Sequence, residues 1–116
     1  MSELQFDTGE MVRFLVRLLN TPSPTGWSDD AMAVVEDAFR ALNIEDLRLE
    51  RTPKGALIIT WPGVSADAPR GLTAHADTLG LMVKEIKPNG RLKLVMIGNY
   101  MWNAVEFEGV TILASN

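Results

Sequence analysis

Between Glu10 and Leu19 the apolar residues Met11, Phe14, Leu15, Leu18 and Leu19 fall on one helical face, while Arg13 and Arg17 point away. The spacing predicts an amphipathic helix. Asp7, with Glu10 three residues later, has the form of a capping box, and Asn20 followed by Pro22 supplies the stop. The prolines and glycine of Thr21-Pro22-Ser23-Pro24-Thr25-Gly26 then exclude helix and favour a defined turn. A second helix follows, with Ser28 as N-cap and Ala31, Val34, Val35, Ala38, Phe39 and Leu42 as its buried stripe. Asp29 and Asp30 suit the positive end of that helix and are read as helix-start residues rather than metal ligands.

After Asn43 the period becomes extended. Leu47 to Arg51 and Ala56 to Trp61 read as paired strands around the turn Thr52-Pro53-Lys54-Gly55, closed by Pro62 and Gly63. Val64 to Pro69 is a loop of small residues. Arg70 to Ala74 is short and lacks alternation, which suits a central strand buried on both faces. Leu81 to Ile86 and Arg91 to Ile97 flank Lys87-Pro88-Asn89-Gly90, and Asn-Gly between extended runs is a strong hairpin signal. Val105 to Leu113 reads as a further strand or strand pair with Gly109 as a bulge. Two helices and then about six strands predict an α/β or α+β domain.

At 116 residues the chain is the size of one domain, and 47% apolar with 22% charged residues is the balance of a soluble globular protein. No run of about 18 apolar residues occurs that could span a bilayer. The start Met1 to Asp7 lacks the pattern of a signal peptide, and zero cysteines exclude disulfides and thiolate metal sites, so a cytoplasmic location is expected. The formal charge of -4, with Lys and Arg scattered, argues against nucleic acid and anionic membranes as partners.

His75 is the sole histidine, and Asp77 lies two residues later, after the predicted central strand. On extended backbone that spacing puts both side chains on one side. Metal-bound imidazoles commonly donate their second N–H to a carboxylate, carbonyl or water, and ligands of α/β sheets collect at the carboxyl ends of strands. The pattern alone equally describes a loop histidine beside a turn that Asp77 and Thr78 cap through their own backbone.

The stretch Gly71-Leu72-Thr73-Ala74-His75-Ala76-Asp77-Thr78-Leu79-Gly80-Leu81-Met82-Val83-Lys84-Glu85-Ile86 resembles the metal-dependent aminopeptidases that include glutamyl, deblocking and tetrahedral aminopeptidases, a group also called endoglucanase-like. Pro22 to Trp27, Lys54 to Trp61 and Ile97 to Ile112 are similar to further family segments in the same order. The resemblance implies the N-terminal part of a three-layer α/β/α zinc-peptidase-like catalytic domain, residues 1–116 ending near the start of the family's inserted β domain. It implies His75 as a metal ligand and Asp77 as the neighbouring acid that orients it and supports catalysis. Two divalent metal ions, zinc or cobalt, are implied for the full-length protein, with peptides as substrates and a homo-oligomeric assembly. The family's bridging Asp, Glu-Glu pair, further Asp and last His match nothing in this chain, so an isolated chain without metal or activity is expected. Thr25 stands where Ser is commoner, Ala56 where Asn is expected, and Asn99-Tyr100-Met101-Trp102-Asn103 replaces a Gly-Trp-centred loop. The other reading is a non-catalytic association module that keeps the fold without a complete site.

Overall fold

Helix α1 (Thr8–Leu19) begins where Asp7 accepts a hydrogen bond from the Glu10 backbone N–H at 2.9 Å. The box is half formed, because the Glu10 carboxylate turns to Arg13 Nε at 2.9 Å instead of back to the cap. At the other end Asn20 Nδ2 adds a second donor to the Val16 carbonyl, which also accepts from the Asn20 N–H, and Thr21 Oγ1 donates to the Arg17 carbonyl, one that the helix end leaves free. Of the expected buried face, Phe14 and Leu18 are half-buried, whereas Met11, Leu15 and Leu19 are exposed. The apolar arc of α1 is wider than the strip that its neighbour α2 (Asp29–Ala41) covers. In α2, Ser28 occupies the cap position without a side-chain bond, Ala31 is fully buried, and Leu42 lies exposed just past the end.

The coordinates are a computed structural model that describes residues 5–65 and 67–114. The chain divides into two units, Met1–Thr78 and Leu79–Asn116. In the first, both helices precede an antiparallel hairpin of β1 (Arg48–Arg51) and β2 (Leu57–Thr60), with Leu49 opposite Ile59 and Arg51 opposite Leu57. Glu36 of α2 links helix to sheet by accepting from Arg51 Nε at 3.0 Å while also holding Arg40. These two arginines, Arg40 foremost, keep the Glu36 carboxyl below its usual range.

The second unit is a hairpin of β3 (Gly80–Ile86) and β4 (Leu92–Ile97), with a bulge between Val83 and Glu85, followed by a 3-10 turn η1 (Trp102–Ala104). Both hairpins close by one device. Gly55 N–H donates to Thr52 O, and Gly90 N–H donates to Lys87 O, each around a proline, and each glycine then takes a positive φ, +84 and +78. Proline pre-sets the first corner residue and glycine accepts the left-handed one, so the loops are type I turns followed by a left-handed residue rather than two-residue Asn-Gly turns.

Two helices followed by antiparallel strands give the expected α/β class, with four strands in place of about six among the described residues. Residues 70–74 form no ladder and are exposed, Leu72 almost completely, where a strand buried on both faces was expected. Their apolar character favours burial but supplies no strand to pair with, and pairing is what makes a strand. The predicted strand over 105–113 is also absent: Val105 and Glu108 N–H groups donate to the Trp102 and Val105 carbonyls, and Phe107 sits at φ +64. Turns engage the backbone through Glu108, and residues 109–113 lie in no ladder, so Gly109 is loop rather than bulge. No helix among the described residues is long and apolar enough to cross a membrane.

Candidate metal and catalytic corner

The functional candidates sit where the segment after residue 74 meets the turn between α1 and α2. Prolines 22 and 24 keep that turn extended, and an extended segment needs partners for its polar groups. It finds them in residues 76–78: Thr78 N–H donates to Ser23 O at 2.8 Å, Thr25 N–H to Thr78 O at 3.3 Å, and Pro24 pairs with Thr78 as a parallel bridge. Two hydroxyls complete the clasp. Ser23 Oγ, in a residue only 3% exposed, donates to Ala76 O at 2.8 Å, and Thr25 Oγ1 donates to Asp77 Oδ2 at 2.6 Å.

With Oδ2 engaged, the other carboxylate oxygen of Asp77 faces the histidine. His75 Nδ1 lies 3.1 Å from Asp77 Oδ1 and 3.2 Å from Asp77 O. Both partners are acceptors, so the proton belongs on Nδ1 and the neutral ring keeps its lone pair on Nε2. The His75 side chain is 84% exposed against 38% for Asp77, so the ring is the more open of the two to solvent. The Thr25 hydroxyl first, and His75 next, hold the Asp77 carboxyl below its usual range. This is the arrangement in which a carboxylate fixes the tautomer of a ligating imidazole.

One ligand does not make a metal centre. Among the described residues no group of three His, Cys, Asp or Glu side chains comes together that could hold an ion, and zinc takes about three protein ligands in its catalytic sites. The donor chemistry of His75 and Asp77 therefore fits one corner of a site. Asp29 and Asp30 stay at the exposed start of α2, as helix-start chemistry requires.

Residues 55–116, the stretch that contains both His75 and Asp77, match the family described as M42 glutamyl aminopeptidase. The chain belongs to that family. A relative from Bacillus subtilis (strain 168), named "Putative aminopeptidase YhfE", is 43% identical over 101 residues, 87% of this chain. The chain spans 28% of that relative's length. The two helices and antiparallel strands thus form an N-terminal α/β portion of an M42 domain.

Sequence reasoning brought His75 and Asp77 together and missed what holds them. Ser23 and Thr25 entered only as turn residues, Thr25 also as a departure from the commoner serine, and neither as a support for Asp77. A signal was present: hydroxyls two residues apart, on a segment that prolines keep extended, project to one side. In the aromatic loop of the second unit, Tyr100 is half-buried with its hydroxyl donating to Gly80 O at 2.6 Å, while Met101 and Trp102 are exposed.

Proposed function

We propose that this chain supplies the His-Asp corner of a two-metal aminopeptidase that removes residues from the amino end of peptides. The observation that carries the reading is the His75–Asp77 pair: an Nδ1 held 3.1 Å from a carboxylate oxygen and a ring otherwise exposed, within a segment that matches the M42 family. His75 would ligate one ion through Nε2, and Asp77 would hold the ring in that tautomer. When bound, two divalent ions such as zinc or cobalt polarise the scissile carbonyl and activate water. Residues outside these 116 would supply the other ligands and the general base. Matching only 28% of YhfE is compatible with that division of the site. By itself the chain would then be inactive and would retain no stoichiometric metal, since a single imidazole is a weak anchor. The absence of cysteine supports a cytoplasmic setting, and a homo-oligomer is proposed for the full-length protein.

The test is a full-length M42 protein carrying this segment, assayed on aminoacyl anilides and on amino-blocked peptides. His75→Ala should abolish metal-dependent hydrolysis of the anilides and of any blocked peptide that the unsubstituted enzyme accepts. Unchanged activity and metal content in the variant would refute the assignment.

A further inference from the structure

We infer that Thr25 is a positioning residue: by engaging one oxygen of Asp77 it reserves the other for His75 Nδ1 and so fixes which ring nitrogen faces outward. A carboxylate on an exposed loop is free to rotate and to present either oxygen, or neither, to its neighbour. Here rotation is opposed at one side by the Thr25 hydroxyl at 2.6 Å, on the oxygen opposite to the one 3.1 Å from the ring. The hydroxyl is itself carried by backbone that cannot drift. Thr25 N–H donates to Thr78 O, Thr78 N–H to Ser23 O, and the Ser23 hydroxyl to Ala76 O, so the turn between the helices grips both sides of Asp77. Among the described residues the imidazole has no comparable support: its side chain is 84% exposed, and its ring bonds run only to Asp77. Control of the ring therefore passes through Asp77 to Thr25. The consequence for hydrolysis rests on His75 being a metal ligand, but the geometric relation does not.

The experiment uses the chain itself, labelled with nitrogen-15 and free of metal, so that it succeeds or fails independently of the proposed activity. With a sole histidine, the ring nitrogens give one unambiguous pair of signals in long-range proton–nitrogen spectra. In alkaline solution the unsubstituted chain should show a protonated Nδ1 and an unprotonated Nε2. In Thr25→Val, which keeps the shape and loses the hydroxyl, the Nδ1–H form should fall relative to the Nε2–H form by roughly two- to tenfold, the weight of one ordinary hydrogen bond. Thr25→Ser should restore the original pattern. A folded Thr25→Val with unchanged ring signals, or a Thr25→Ser as altered as the valine variant, would overturn the inference. Should Thr25→Val fail to fold, three-bond couplings in the unsubstituted chain decide: a single Thr25 χ1 rotamer supports the bond, and rotamer averaging overturns it.

Discussion

The hydroxyl of Ser23 donates to the carbonyl of Ala76 at 2.8 Å, joining positions 53 residues apart. Ser23 is 3% exposed, so this bond is made where water competes poorly. Ser23→Ala should lower the stability of the first unit by about 1–2 kcal/mol, since a sheltered acceptor loses its partner. Ser65, on exposed loop, accepts from the nearby Asp67 N–H, and Ser65→Ala should stay within about 0.5 kcal/mol. Urea unfolding of the two variants, compared at constant slope, checks the difference.

Acid should loosen the same unit in a defined direction. The Asp77 carboxyl lies below its ordinary value of 3.8, chiefly through the Thr25 hydroxyl, and that of Glu36 below 4.5, chiefly through Arg40. A carboxyl whose pKa is depressed on folding contributes stability that is present above its unfolded value and lost as pH falls through the folded one. The urea midpoint should therefore hold above about pH 5 and decline below about pH 4. Asp77→Asn and Glu36→Gln should each flatten part of that decline. An undiminished decline in both variants would exclude these two carboxylates as its source.

In the second unit, Gly98 has φ +93, and a Cβ there would run into the Leu79 side chain. Leucine's end is flexible, whereas the backbone conformation is not. Gly98→Ala should therefore destabilise the hairpin by about 1–2 kcal/mol from the left-handed φ alone. Adding Leu79→Ala should relieve the collision and leave that backbone cost. Amide exchange at the Gly80–Ile97 end of the hairpin reads the effect; full recovery in the double variant would show that sterics, not φ, decide. Gly71, with open space around it and no positive φ, should accept alanine within about 0.5 kcal/mol.

What was legible in the sequence is what local chemistry decides. The start of α1 at Asp7, the end near Asn20, and both hairpins follow from caps, period and Pro-x-Gly turns, each acting over a few residues. His75 and Asp77 share one side for the same reason, being two apart. Residues 70–74 and 105–113 were misread because β-propensity reports fitness for a pleated surface and not the presence of a neighbour. The Ser23–Thr25 clasp was invisible for a related reason. Its bonds run across 52 and 53 positions, a distance over which periodicity carries no information.

On the proposed function, a metal on this corner would meet Nε2. The decisive measurement is anomalous diffraction at the zinc edge from crystals of a zinc-loaded, full-length M42 protein carrying this segment. The account predicts a peak about 2.0–2.1 Å from His75 Nε2, with Nδ1 still bonded to the Asp77 carboxylate. A peak bonded to Nδ1, or a fully loaded protein in which His75 touches no ion, would contradict it.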